Sequence, residues 1–256
     1  MVKYSWILPV RNEAQSLPQL IAEISRVMRS IILSERSESK DLSFEIIAVN
    51  DASTDTSLTT LTSLTRPERS RRTTLTPQLR LINFKFQQGK WAALRAGFMK
   101  AKGQIIITSD SDLQDDPKEV GKLLNKLAQT PSLQGYDLVS GTRVIRFDPF
   151  YKILISKLGN FLISTLTKRA FHDLNSSFKV YRREILDKIP KEGSMLRFSM
   201  LFAQKLGYKV AEVPINHRPR LFGKSKFGIV KYLRIIYDLI LILLLFSGSG
   251  RIRHNE

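Results

Sequence analysis

Short apolar runs alternate with stretches of helical periodicity along the first half of the chain. The apolar runs predict buried strands at 4–10, 44–50, 79–84, 104–110 and 136–142. The stretches between them predict helices at about 14–33, 55–64, 89–102 and 117–129. This alternation is typical of an α/β fold with a mostly parallel sheet flanked by helices. Ligands bind such sheets beyond the carboxyl ends of the strands, so we expect the functional side chains there.

The net charge of the chain indicates which kinds of molecule it binds. A formal net charge of +18 indicates an anionic partner: nucleic acid, an acidic membrane surface or a phosphorylated substrate. The chain contains no cysteine, which excludes disulfides and thiolate chemistry. No secretory signal is visible, because the apolar run 4–10 is too short and continues into charged residues. We therefore expect the catalytic part on the cytosolic side of a membrane or in the cytosol.

Acidic residues concentrate after the fourth predicted strand, in "SDSDLQDDP" (109–117). Asp110 and Asp112 would repel each other unless a cation lies between them, and Mg²⁺ or Mn²⁺ prefers such oxygen ligands. Gln114 offers a further carbonyl oxygen on the same side. For Asp115 and Asp116 we favour a solvated turn and a helix cap.

A second acidic turn, "VNDASTDTS" (49–57), also follows a predicted strand and precedes a predicted helix. One of its polar residues is expected to cap that helix. Asp51 could instead accept a hydrogen bond from a nucleobase or a ribose hydroxyl. Together with "LPVRNE" after the first strand, these turns predict a nucleotide site at one edge of the sheet.

Six segments resemble glycosyltransferase family 2 enzymes of GT-A type, in the same order along the chain. They are "ILPVRNEAQSL", "VNDASTDTS", "QQGKWAALRAGFMKAKG", "SDSDLQDDP", "VSGTR" and "RLFGKSKF". Within that family the chain resembles dolichyl-phosphate mannose synthase and related polyprenyl-phosphate glycosyltransferases. The resemblance implies inverting transfer of a sugar from GDP-mannose or a UDP-hexose to a polyprenyl phosphate, with Mg²⁺ or Mn²⁺ as cofactor.

The resemblance also implies roles for individual residues. The nucleotide-sugar and its metal would be bound by Pro9, Asn12, Glu13, Asp51, Lys90, Asp110 and Gln114. The metal ligands would be Asp110, Asp112 and Gln114, and the acceptor phosphate would contact Arg143, Arg220, Ser225 and Lys226. Among these, the catalytic step would depend on Asp112, Arg143, Arg220 and Lys226. The chain departs from the family at Ser177 and Lys179, where Gly and Arg are usual.

The residue types of one loop also favour binding of an acceptor phosphate. The stretch "HRPRLFGKSKFG" (217–228) contains four basic residues and no acid. Arg220 and Lys226 in this loop are suited to gripping phosphate oxygens. A lipid phosphate needs no general base, because the second pKa of a phosphate monoester is about 6.

The apolar stretches 227–246 and 150–168 are candidates for membrane contact. Charges at Lys231, Arg234 and Asp238 interrupt the first, which favours a helix lying in the membrane interface over a spanning one. We therefore expect a GT-A domain at 1–225, a membrane-surface helix at 226–246 and a disordered tail at 247–256. The enzyme would act at the cytosolic face of a membrane.

Two other classes of protein remain. A glycosyltransferase with a soluble or polysaccharide acceptor would explain the acidic turns, but it would need a general base, for which Asp173 is the candidate. A basic nucleic-acid-binding protein would explain the charge. It would leave Asp51, Asp110 and Asp112 unused and lacks a nucleic-acid motif, so we expect no nucleic-acid partner.

Overall fold

A computed structural model describes residues 2–35, 43–65, 78–128, 135–143, 171–191 and 194–222, and all structural statements concern these. Contacts divide the chain into two compact units. The first, Met1–Phe147 with Asn175–Gly223, contains every strand and helix given below. Of the second unit only 171–174 are described. The apolar segments 150–168 and 227–246, and with them the domain boundary at 225, lie outside the described residues.

A seven-stranded sheet forms the centre of the first unit, in the order β3-β2-β1-β4-β6-β5-β7. Only β6 is antiparallel to its neighbours β4 and β5 among these strands; all other pairs are parallel. The strands are β1 (Val2–Val10), β2 (Ser43–Asn50), β3 (Gln78–Asn83), β4 (Ile105–Thr108), β5 (Leu138–Arg143), β6 (Lys179–Arg182) and β7 (Val210–Ile215). The predicted α/β fold with a mostly parallel sheet is confirmed.

Helices follow the strands and cover the sheet. They are α1 (Leu17–Glu35), α2 (Ser57–Thr65), α3 (Lys90–Lys100), α4 (Val120–Ala128), α5 (Arg183–Lys188) and α6 (Ser199–Lys205). Two short 3-10 turns, Pro117–Glu119 and Met195–Phe198, precede α4 and α6. In the described part of the chain, no helix combines the length and apolarity needed to cross a bilayer.

Apolar periodicity explains how α1 and α3 pack. The buried side chains of α1 recur at helical spacing along one face, from Leu17 and Leu20 to Met28 and Ile32. Helix α3 packs against β1 and β2. Gly97 allows this close approach, since a Cβ there would collide with the side chain of Ile7.

A buried carboxylate joins the elements at the amino-terminal edge of the sheet. Glu45, at the start of β2, has no exposed surface. Its oxygens accept hydrogen bonds from Ser5 Oγ at 2.7 Å and from the backbone N–H of Lys102 at 2.6 Å. Arg80 contacts the second oxygen at 2.9 Å. This network lies at the edge opposite to the candidate site, so we assign it a structural role.

Candidate functional site

The loops that follow β1, β2 and β4 meet at the carboxyl edge of the sheet and are joined by serine hydroxyls. Ser111 Oγ donates to the carbonyl of Pro9 at 2.9 Å, and Ser16 Oγ donates to the carbonyl of Ser111 at 2.7 Å. The N–H of Glu13 donates to Ser57 Oγ at 2.8 Å. Three segments that are distant in sequence therefore form one wall, as the predicted sheet requires.

Asn12 adopts a left-handed conformation with φ 52°, which turns the chain directly after β1. Its Oδ1 accepts a hydrogen bond from the N–H of Thr54 at 2.7 Å. Asp55 accepts from the N–H of Ser57 at 2.9 Å and so caps the start of α2. The expected cap in this turn is thereby confirmed, with Asp55 as the capping residue.

Asp51 is 4% exposed and holds the segment that leads into α3. Its two carboxylate oxygens accept from the backbone N–H groups of Gln88, at 2.6 Å, and Gly89, at 2.9 Å. Arg11 donates to its carbonyl oxygen at 2.7 Å. A carboxylate has about four lone-pair sites, so two remain for a ligand. Asp51 therefore positions Lys90, while its role towards a nucleotide stays a prediction.

Asp110 receives a cation and a hydroxyl on different oxygens. Lys90 Nζ, at the first residue of α3, lies 2.5 Å from Asp110 Oδ1. Ser177 Oγ donates to Asp110 Oδ2 at 2.8 Å and lies 3.2 Å from Asp115 Oδ2. The same oxygen of Asp115 accepts from the backbone N–H of Asp110 at 3.0 Å. Two separate elements thus meet at one carboxylate.

Asp112 and Gln114 share a single guanidinium. Nη2 of Arg220 lies 2.5 Å from Asp112 Oδ2 and 3.0 Å from Gln114 Oε1. Between them the chain bends at Leu113, where φ is 65°, and the N–H of Gln114 donates to Asp112 Oδ1 at 3.2 Å. The segment is therefore a tight turn rather than extended chain, and two of the three predicted metal ligands, Asp112 and Gln114, face a common cation.

The carboxylates influence one another electrostatically. Burial, followed by the charge of Asp110, raises the pKa of Asp112 to about 7, although Arg220 acts in the opposite direction. Burial and Asp110 also raise the pKa of Asp115 to about 6. Burial is the largest influence on Asp110 and opposes its ionisation, but the charge and hydrogen bond of Lys90, the hydrogen bond of Ser177 and the charge of Arg143 together lower its pKa. The cluster therefore carries more negative charge than its surroundings easily stabilise, which favours a bound cation.

The side chains present fit a catalytic divalent cation. Asp110, Asp112 and Gln114 offer the hard oxygen donors that Mg²⁺ and Mn²⁺ prefer. The described residues contain no cluster of three or more acidic or histidine side chains with the geometry of a metal site. A cation with one or two carboxylate ligands, whose other positions are filled by water and substrate phosphates, agrees with that donor set.

Two further predicted residues lie at the same edge of the sheet. Arg143 ends β5, and its charge contributes to the lowered pKa of Asp110 and partly offsets the raised pKa of Asp115. Arg220 follows β7 by a short loop. Ser225 and Lys226, the other residues predicted to contact an acceptor phosphate, lie outside the described residues. Asp173 is fully buried and belongs to the second unit, and its use as a base stays a prediction.

Our interpretation of Asp115 as part of a solvated turn was wrong. The residue is 4% exposed and is bonded to Ser177 and to the backbone of Asp110. Asp116 does cap the following 3-10 turn, as expected, because its Oδ1 accepts from the N–H of Lys118 at 3.0 Å. Sequence reasoning missed Ser177 as a site residue, although it marked this position as a departure from the resembled family.

Comparisons with known proteins agree with this arrangement. The model of the family described as "Glycosyl transferase family 2" matches residues 5–190. Among solved structures, glucosyl-3-phosphoglycerate synthase from Mycobacterium tuberculosis in complex with phosphoglyceric acid has a TM-score of 0.66 at 19% identity, and the match covers 98% of this chain and 81% of that chain. The same enzyme with Mn²⁺, UDP-glucose and phosphoglyceric acid has a TM-score of 0.66 at 18% identity, with 98% and 81% covered. At this identity the likeness shows a shared fold.

Proposed function

The chain belongs to glycosyl transferase family 2, and on this premise we propose that it transfers a sugar from a nucleotide-sugar with the help of Mg²⁺ or Mn²⁺. One observation carries the proposal. The two carboxylates after β4 are each contacted by a cationic side chain, Lys90 at 2.5 Å from Asp110 and Arg220 at 2.5 Å from Asp112. Paired anions that need compensating positive charge suit a site that accepts a metal and a diphosphate.

The donor would lie across the three joined loops. Pro9, Asn12, Glu13 and Asp51 would line the nucleoside pocket, and Lys90 would contact the diphosphate. Asp110 and Asp112, assisted by Gln114, would hold the cation. The cation would neutralise the negative charge that develops on the leaving nucleoside diphosphate. Similar solved structures contain Mn²⁺ with UDP and with UDP-glucose, which supports this assignment.

For the acceptor we propose a soluble molecule that carries a phosphate. The comparisons favour this alternative over a polyprenyl phosphate, because the similar structures contain phosphoglyceric acid or glycerol 3-phosphate. Arg143 and Arg220 lie at the carboxyl edge of the sheet. An arginine fork can bind two phosphate oxygens at once. A hydroxyl nucleophile on such an acceptor would need a general base.

A polyprenyl phosphate at the cytosolic face of a membrane is the second candidate acceptor. Its support comes from the sequence: the basic motif "RLFGKSKF" directly precedes the apolar segment 227–246, and the net charge is +18. Basic residues beside an anionic leaflet contribute about 1 kcal/mol each to membrane binding. In this case the segment 226–246 would lie at the membrane surface, and the GT-A domain would occupy 1–225.

A single assay tests the reaction and separates the two acceptors. The purified protein is incubated with GDP-mannose or UDP-glucose and Mn²⁺, together with 3-phosphoglycerate, glycerol 3-phosphate or a polyprenyl phosphate in detergent. Release of nucleoside diphosphate and the mass of the glycosylated product are then measured. We expect EDTA to abolish product formation. Release of nucleoside diphosphate by the Asp112→Asn variant in excess EDTA would contradict the metal-dependent reaction. If a glycosylated product formed only with the polyprenyl phosphate, the lipid and not a soluble molecule would be the acceptor.

A further inference from the structure

The two oxygens of Asp110 have partners of different kinds, a hydroxyl on one and an ammonium on the other. Ser177 Oγ lies 2.8 Å from Asp110 Oδ2, whereas Lys90 Nζ lies 2.5 Å from Oδ1. A serine hydroxyl has one proton to donate, and the shorter distance directs it to Asp110 rather than to Asp115 at 3.2 Å. The carboxylate is therefore held by Oδ2, and Oδ1 is the oxygen presented to a cation.

Ser177 is itself held in place from two sides. Its carbonyl oxygen accepts a hydrogen bond from Thr108 Oγ1 at 2.7 Å. Thr108 is the last residue of β4 and pairs with Lys179, the first residue of β6. Asp115, which is 4% exposed, bonds the N–H of Asp110 at 3.0 Å. The backbone of Ser177 is therefore anchored to the end of β4, and the backbone of Asp110 is anchored to Asp115.

We propose that Ser177 is a positioning residue for the metal site, acting through Asp110. The inference rests on the proposed function, because it requires Asp110 to bind the cation. Without the hydroxyl, the plane of the Asp110 carboxylate is less restrained in its rotation about the Cβ–Cγ bond, because among the described residues only Lys90 then holds one of its oxygens. With the hydroxyl, one orientation is preferred. Hydrogen-bond partners that orient metal ligands typically contribute 10- to 100-fold in metal affinity.

The adjacent Ser176 offers a matched control. Its hydroxyl is buried and has no hydrogen-bond partner among the described residues. Ser176→Ala therefore removes an equivalent oxygen from the neighbouring position without touching Asp110. A general effect of packing in this segment would alter both alanine variants, whereas orientation of Asp110 would alter only Ser177→Ala.

The test is a titration with Mn²⁺ alone, in which the signal of free Mn²⁺ is measured by electron paramagnetic resonance. We expect Ser177→Ala to weaken Mn²⁺ binding by about tenfold or more. Ser177→Thr, which keeps the hydroxyl, and Ser176→Ala should bind Mn²⁺ as the wild type does. Thermal unfolding of each variant accompanies the titration and identifies any variant that is not folded.

A second pair of variants keeps the test decisive if Ser177→Ala does not fold. Ser177→Thr and Ser177→Val have nearly the same shape and differ by the hydroxyl, so weaker binding by the valine variant supports the inference. If Ser177→Thr and Ser177→Val bind Mn²⁺ equally well, or if Ser177→Ala binds it as well as the wild type does, the positioning role of Ser177 is overturned. The proposed function is unaffected by either result. Absence of Mn²⁺ binding by the wild type overturns both.

Discussion

The guanidinium of Arg220 lies against the carboxylate of Asp112, with 2.5 Å between Nη2 and Oδ2. The same nitrogen is 3.0 Å from Gln114 Oε1. Arg220 therefore occupies two of the oxygens that we assign to the cation. A divalent ion bound there would repel a guanidinium at such short range. We infer that metal binding displaces Arg220 and makes it available to an acceptor phosphate.

Arg220→Ala should affect metal and acceptor in opposite directions. Binding of Mn²⁺ alone should be as tight as in the wild type or tighter, because the competing guanidinium is gone. Turnover at limiting acceptor should fall about ten- to hundredfold, which corresponds to a charge-assisted phosphate contact of about 1.5–3 kcal/mol. Titration with Mn²⁺ and initial rates at varied acceptor concentration measure the two effects.

Arg218→Ala is the matched control for that experiment. The side chain of Arg218 is bound to Glu23 at 2.9 Å and to Asp116 at 2.7 Å, and not to the predicted metal ligands. Its loss should leave Mn²⁺ affinity unchanged. If Arg220→Ala weakened Mn²⁺ binding while acceptor use stayed normal, Arg220 would belong to the donor side of the site.

Asp112→Asn should abolish transfer and leave the protein folded. The substitution removes one anionic ligand of a cation that contributes several kcal/mol to the transition state, so kcat should fall by more than about a hundredfold. Steady-state assays with saturating Mn²⁺ measure the effect. Asp187→Asn provides the control, because Asp187 is an exposed residue of α5 at the other edge of the sheet. Wild-type kcat in Asp112→Asn would contradict its role as a metal ligand.

Asp51→Ala should destabilise the protein as well as weaken donor binding. The change removes the acceptor of the N–H groups of Gln88 and Gly89, and each such hydrogen bond contributes about 0.5–1.5 kcal/mol net. Urea denaturation measures the loss of unfolding free energy. Asp51→Asn keeps one acceptor oxygen and should fall between the alanine variant and the wild type. An alanine variant of unchanged stability would show that the two hydrogen bonds contribute nothing net.

Glu45→Ala should lower stability without altering donor affinity. Arg80, the ion-pair partner, is partly exposed, so the main cost is that Ser5 Oγ and the N–H of Lys102 lose their acceptor, and leaving a buried polar group unsatisfied costs about 1–3 kcal/mol. Denaturation curves and titration with nucleoside diphosphate measure the two quantities separately. A large loss of donor affinity in a folded Glu45→Ala variant would show that the two edges of the sheet are coupled.

The parts of the fold that the sequence predicted share a strong local signal. Strands β1, β2 and β4 are apolar and buried, and their runs of Ile, Leu and Val are recognisable without any partner. Strands β6 and β7 were not predicted. Strand β6 has only four residues, and β7 is mostly half-buried with one exposed position, so neither produces a clear run. Their place in the sheet depends on pairing with β4 and β5.

The same distinction separates the site residues that were predicted from those that were missed. Asp110, Asp112 and Gln114 stand together after a strand, where local spacing indicates their chemistry. Asp115 was misinterpreted because its burial depends on Ser177, which is 62 residues further along the chain. The contact between Lys90 and Asp110 likewise follows from the packing of α3 against β1, the strand that pairs with β4. Such partners become visible only when the sheet has brought the loops together.

The hydroxyl bridges between the loops also limit how the donor preference can be re-engineered. Pro9, Ser16, Ser57 and Ser111 join three segments, so a substitution in one segment shifts the backbone of the others. Changes to contacting residues are typically non-additive, with coupling energies of about 0.5–3 kcal/mol. The effects of single substitutions on nucleotide preference should therefore add up to less than the effect of making the same substitutions together. To change the donor preference, all three loops should therefore be exchanged together.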